Sequence, residues 1–227
     1  EYRQLASLKR RFPHASVHAY TATATERVRA DIVEQLGLEN PAILVGIFDR
    51  PNLIYRVVPR VDAGHQVAQV LRRHVGEAAI VYCLSRKDTE EMASHLRQQG
   101  FDAAAYHAGL EPAKRHRVQE DFSDEKLDVV CATVAFGMGI DRSDVRCVVH
   151  AAMPKSVEHY QQETGRAGRD GLEAECVLFY SAADVLRWES LMQRSSDEAG
   201  VGPEVMQAAL ELLERMRRFC GPAVCRH

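Results

Sequence analysis

From Leu53 to Tyr180 the chain alternates short, nearly continuous apolar runs with amphipathic stretches of about ten residues. The apolar runs predict strands at Leu53–Val58, Ala78–Cys83, Ala103–Tyr106, Asp128–Thr133, Val145–His150 and Glu175–Tyr180. Between them the pattern predicts helices from about Gly64 to His74, Lys87 to Gln99, Pro112 to Phe122 and Val157 to Thr164. Strands that are apolar on both sides and separated by helices imply a parallel sheet covered on both faces, an α/β fold of the doubly wound kind. Ligands of such sheets sit beyond the strand carboxyl ends, where the unusual loops are expected to fall.

The flanks read differently. Residues 1–12 place Leu5, Leu8 and Phe12 on one side of a short helix closed by Pro13. Ser16–Tyr20 and Ala42–Val45 predict brief strands. Between them a helix from about Glu26 to Leu36 is capped by Thr25 and stopped by Gly37. Pro51 and Asn52 place a hinge near residues 46–52. After Tyr180 the chain is helical over Ala183–Gln193 and, past a polar gap through Gly202, over Pro203–Arg218, with Pro203 and Gly221 as start and stop signals. The organisation expected is 1–50, 51–182 and 183–227.

An apolar share of 46% with 27% charged residues is that of a globular protein with a sizeable core. No apolar run approaches the roughly 20 residues that span a bilayer, and no signal peptide opens the chain. The first residue is Glu1, so the chain is expected to be cut from something longer. A net charge of −3 argues against a nucleic-acid binder, although a local basic stripe binds phosphate on a mildly acidic protein. Cys83, Cys131, Cys147 and Cys176 fall inside apolar runs and read as buried small hydrophobes in a reducing compartment. Arg217 and Arg218 with Cys220 read as a helix end.

Gln161–Gly171 (QQETGRAGRDG) sets Arg166 and Arg169 three apart among Gly165, Gly168 and Gly171. Guanidinium forks match phosphate, and glycine lets a ligand or backbone approach. Ser85-Arg86 and His107-Ala108-Gly109 follow predicted strands and either meet the phosphates of a nucleic-acid strand or are ordinary polar turns. In Ala135–Asp141, Gly137 and Gly139 permit close approach and Asp141 could accept from a ribose hydroxyl or cap the next element. The chain contains no GxxxxGK[ST] loop and no Asp-Glu pair at a strand end to hold Mg²⁺. Arginines without a phosphate cradle describe one side of a shared nucleotide site.

Taken together, TATAT at 21–25, FDRPN at 48–52, IVYCLSRKDTEEMASHL at 80–96 and YHAGL at 106–110 resemble the RecQ family of ATP-dependent DNA helicases. So do VVCATVAFGMGIDRSDVRCVVH at 129–150 and HYQQETGRAGRDG at 159–171. The resemblance implies the end of a first RecA-like motor lobe (1–50), a complete second lobe (51–182) and the helical start of a zinc module (183–227). It implies 3′–5′ translocation on single-stranded DNA, in repair and recombination, by an intracellular, monomeric enzyme acting on forked duplexes. Arg169 resembles the arginine finger and Arg166 its partner. Gly137, Gly139, Asp141, Gln162 and Gly165 fall where nucleotide is contacted, and Ser85, Arg86, His107 and Thr133 where the DNA backbone is held. Thr21 and Thr23 match the coupling motif, and Asp170 is expected to pin an arginine. ATP and Mg²⁺ would be held mainly by residues preceding this chain, so the chain alone is expected to be inactive as an ATPase. Cys225 resembles the first of four zinc cysteines whose partners would follow residue 227, so no zinc is expected here. The alternatives are a non-catalytic nucleic-acid-binding module or a lobe of an RNA helicase or remodelling translocase.

Overall fold

The computed structural model describes residues 5, 7, 11–21, 25–46, 49–133, 142–199 and 202–221. The chain divides into two compact units, Glu1–Asp49 and Arg50–His227.

In the first unit helix α1 (Glu26–Leu36) is capped by the Thr25 hydroxyl, which accepts from Val28 N, and ends at Gly37 with φ 61°. Leu5, Ser7 and Arg11 are helical, while the rest of the predicted opening helix up to Arg10 lies outside the described residues. The strands predicted at Ser16–Tyr20 and Ala42–Val45 are not formed: both segments are irregular, and Tyr20 and Leu44 are exposed. An apolar run becomes a strand only when a neighbour completes its backbone hydrogen bonds, and the described residues of this unit form no ladder.

The second unit is built on one parallel sheet. Its strands are β1 (Leu53–Pro59), β2 (Ala78–Tyr82), β3 (Ala103–Tyr106), β4 (Val129–Ala132), β5 (Val145–His150) and β6 (Ala174–Tyr180). Their spatial order is β1-β6-β5-β2-β4-β3, all neighbours parallel. Alternate residues of each central strand enter opposite cores, as the continuous apolar runs require. Val81, Cys131, Cys147 and Val149 pack under α2 (Ala63–Leu71) and α3 (Arg86–Gln98). Ile80, Val130, Val148 and Cys176 pack with Val118 and Phe122 of α4 (Pro112–Ser123). The four strand cysteines are buried thiols, as expected.

Beyond β5 runs α5 (Val157–Thr164), and beyond β6 run α6 (Ala183–Ala199) and α7 (Pro203–Phe219). Helix α6 continues past the expected end at Gln193, because Arg194–Ala199 is polar but contains no glycine or proline to stop it. Asp184, fully buried, anchors its start by pairing with Arg60 at 2.5 Å and accepting from Met153 N and Ser181 N. Helix α7 lays Leu213 and Met216 onto Met153, Tyr160 and Leu178, a third apolar cluster continuous with the sheet.

Candidate nucleotide and nucleic-acid interface

The turn that carries the two arginines is stitched to the amino-terminal edge of the sheet. Gly168 N donates to Val145 O, the first residue of β5, at 2.9 Å, and Asp170 N donates to Ser143 O at 3.3 Å. Arg50 Nη2 donates to Ala167 O at 3.0 Å and to Gly168 O at 2.7 Å. Asn52 Nδ2 donates to Gly168 O at 2.9 Å and to Leu172 O at 2.8 Å. These two residues, read from sequence only as part of a hinge, are the clamp of the arginine turn. Gly168 sits at φ 54°, and a Cβ there would lie 2.5 Å from Asn52 Nδ2 and 2.6 Å from Leu172 O. Only glycine allows the clamp to close. Gly165 ends α5 under a similar constraint, since its Cβ would meet Gln161 O at 2.9 Å.

Within this frame Gln162 and Arg169 are exposed, and Arg166 is half-buried with its guanidinium hydrogen-bonded to the Tyr82 hydroxyl. Burial pushes that hydroxyl up, against the opposing pull of Arg166 and, more weakly, of Arg169. Asp170 pins Arg146, which also donates to Asp144 O and Glu173 O. The general expectation that the ligand-facing loops gather at the strand carboxyl ends is corrected here. Helix α5 runs antiparallel to the strands, so the turn after it arrives at the opposite edge.

Ser85, Arg86, His107 and Thr133 do come together at the carboxyl ends of β2, β3 and β4. Ser85 caps α3 through a capping box: its hydroxyl accepts from Asp88 N, and its own N–H donates to the Asp88 carboxylate at 3.2 Å. The Ser85 backbone N–H is thus already taken. Arg86 is exposed, and its Nη1 would lie 2.9 Å from a Cβ on Gly109, with His107 Nδ1 at 3.2 Å. The His107 ring is 4% exposed and bonds Glu90 through Nε2 at 3.1 Å, so it shapes the loop while Arg86 forms its surface. Thr133 N donates to Tyr106 O at 3.3 Å.

Gly137, Gly139 and Asp141 lie outside the described residues, as do Thr23 and Cys225. Their flanks are informative: Thr133 follows β4 at one edge of the sheet, and Arg142 precedes β5 at the other. Arg142, overlooked in the sequence, is buried and donates to Phe122 O at 2.9 Å and Leu127 O at 3.0 Å. Its hydrogen bonds hold the Asp144 carboxyl below the usual range. Thr21 is exposed in the first unit. Cys220 is buried beside Leu213 and Met216 as packing. Among the described residues His74, Cys147 and Glu175 place ligand atoms within 4.8 Å of one another. Arg56 and Arg73 already hold both Glu175 oxygens, each at 2.7 Å, and burial keeps Cys147 protonated, so this donor set suits an ion-pair network rather than a cation.

Residues 63–171 match the helicase conserved C-terminal domain family. The chain is 43% identical over 228 residues to "ATP-dependent DNA helicase RecQ" of Pasteurella multocida, covering 100% of this chain and 35% of that protein. It is 40% identical over 222 residues to "ATP-dependent DNA helicase hus2/rqh1" of Schizosaccharomyces pombe, covering 97% of this chain and 16% of that protein. The chain belongs to the RecQ helicase family. It spans about a third of the length of its bacterial relatives. The fold is shared more widely. The helicase MrfA bound to DNA and AMPPNP superposes with a TM-score of 0.63 at 21% identity, over 86% of this chain and 30% of that one. Dbp5 of S. cerevisiae bound to RNA and ADP–BeF3 does so with a TM-score of 0.60 at 17% identity, over 84% and 54%. The sheet and its flanking helices are thus a RecA-like helicase lobe.

Proposed function

We propose that this RecQ-family chain supplies the second motor lobe of an ATP-dependent DNA helicase that moves 3′ to 5′ along single-stranded DNA and opens forked duplexes in repair and recombination. The observation that carries this reading is the clamped turn. Arg50 and Asn52 hold Gly168 in a left-handed conformation, and Arg169 stands exposed beside it. A guanidinium on a preorganised backbone meets developing phosphate charge without reorganising, which is the requirement of an arginine finger. Arg166 is its partner, and Gln162, Gly165, Gly137, Gly139 and Asp141 complete this lobe's nucleotide side.

The donor chemistry of the turn suits a polyphosphate rather than a metal, since Arg169 is exposed and the one exposed carboxylate, Asp170, is already held by Arg146. Arg169 and Arg166 would contact the nucleotide, while Mg²⁺ would be held by residues outside this chain. Bound ATP supplies the phosphoryl group whose transfer to water drives the motor. The chain's own part is to neutralise charge and to report the change. Arg86, with Ser85, Thr133 and the His107-shaped loop, would hold the DNA backbone at the other edge of the sheet, and Thr21 and Thr23 would couple the two events. Cys225 belongs to a zinc site only together with ligands beyond this chain. Residues 1–50 would end the first lobe and 183–227 begin the zinc module of a monomeric enzyme working in the nucleoid or nucleus.

The test is Arg169→Ala in the full-length protein. DNA-stimulated hydrolysis should fall by roughly 10³-fold or more, the scale of arginine-finger losses, with nucleotide affinity changed only a few-fold. Collapse of nucleotide affinity with hydrolysis of bound ATP intact would refute the finger assignment. The 227-residue chain alone should show no DNA-stimulated hydrolysis.

A further inference from the structure

Strand β5 finishes on His150, whose ring is 1% exposed. Its Nε2 lies 2.7 Å from Oε2 of Glu163, a buried carboxylate in the last turn of α5. Tyr82, the residue paired with His150 across the β2–β5 ladder, stacks its ring on the imidazole at a centroid distance of 5.1 Å. Tyr160, one turn before Glu163, tilts against the same imidazole at 4.9 Å. The chain then returns to the arginine turn twice. Arg166 N donates to Glu163 O at 3.3 Å, and the Arg166 side chain hydrogen-bonds the Tyr82 hydroxyl.

Burying an imidazole and a carboxylate together gives little net stability, and apolar residues of similar volume would pack this site at lower desolvation cost. His150, Glu163 and Tyr82 are all too buried to touch nucleotide or DNA. What the group does provide is direction, because the His150–Glu163 hydrogen bond and the ring stacked on the same imidazole restrict how its members can be arranged, even though His150 Nδ1 has no hydrogen-bond partner among the described residues.

We propose that His150, Glu163 and Tyr82 are positioning residues for the arginine turn: His150 fixes the carboxylate that ends α5, and Tyr82, held flat by the same imidazole, aims Arg166. This proposal rests on the motor-lobe reading above, and its test separates the two.

In the full-length protein, Tyr82→Phe removes only a hydroxyl and Glu163→Gln only a charge. Each should lower kcat for DNA-stimulated hydrolysis roughly ten- to a hundredfold, the usual consequence of small misplacements, with the KM for ATP and the Kd for single-stranded DNA within about twofold of wild type. Glu163→Gln combined with Arg166→Ala should lose no more than Arg166→Ala alone, because both act through one side chain. Hydrogen exchange should quicken in residues 164–170 of Glu163→Gln and stay unchanged in β2 and β4. Unchanged exchange at 164–170, unchanged kcat, or strictly additive losses would each overturn the proposal. If Arg166→Ala and Arg169→Ala both hydrolyse ATP normally, the motor-lobe reading fails, and hydrogen exchange still decides whether the network orders the turn.

Discussion

At Gly168 a positive φ of 54° coincides with carbonyl and amide groups closing on the missing side chain. Gly168→Ala therefore carries both backbone strain and a clash, and it should destabilise the second unit by about 1–3 kcal/mol in denaturant unfolding. Asn52→Ala should reproduce part of that loss, since the same carbonyls lose a donor. Glu175 presents the opposite situation, a charge kept inside. Burial raises its carboxyl, but hydrogen bonds from Arg73, His74 and Arg56 outweigh burial and hold it below the usual range. A carboxyl depressed in the folded state stabilises fully above its unfolded value of about 4.3 and loses that contribution as pH falls through the folded value. Glu175→Gln should thus lower stability at pH 7 and flatten its decline between about pH 5 and 3.

Among the elements, α3 shows how one residue serves two ends. Ser85 closes the capping box that starts the helix and stands beside the exposed Arg86. Ser85→Ala should cost about 1 kcal/mol through the lost cap. Ser85→Asp keeps a good cap but puts a charge where a phosphate would lie, so Tm should be retained while affinity for single-stranded DNA falls. A protein that binds DNA equally well with Asp at this position holds it elsewhere. Helices and strands of the second unit were legible from pattern because each apolar run is long enough to cross the sheet and most helices open on a capping side chain or, as α4 and α7 do, on a proline. Thr25, Asp62, Ser85 and Ser156 all accept a backbone N–H at their helix starts. The segments Ser16–Tyr20 and Ala42–Val45 failed for the complementary reason. Their composition suits a strand, but a ladder is a property of two segments, and composition describes one.

Over the second unit as a whole, the sheet ties two sets of arginine-bearing loops to opposite edges. Thr133 follows β4 at one edge of the sheet and Arg142 precedes β5 at the other. Helix α7 belongs to the same body, with Leu213 1% exposed and Phe219 5.4 Å from the Tyr160 ring. Leu213→Ala should cost about 2–4 kcal/mol and lower the unfolding midpoint of the entire second unit, not of α7 alone. If α7 melts separately, it is an appendage.

By itself the sequence determined the parallel α/β class, the approximate bounds of the strands of the second unit, the Thr25 cap and the presence of an arginine pair set among glycines. Each of these follows from local chemistry: periodicity, capping and side-chain type. Tertiary structure alone decided that Arg50 and Asn52 clamp the turn, that Arg142 fastens the start of β5, that His107 is buried and that His150 meets Glu163. Those pairings join residues separated by 13 to 120 positions in the chain. No periodicity reports a contact between distant segments, because it is the packed sheet that brings them within hydrogen-bond reach.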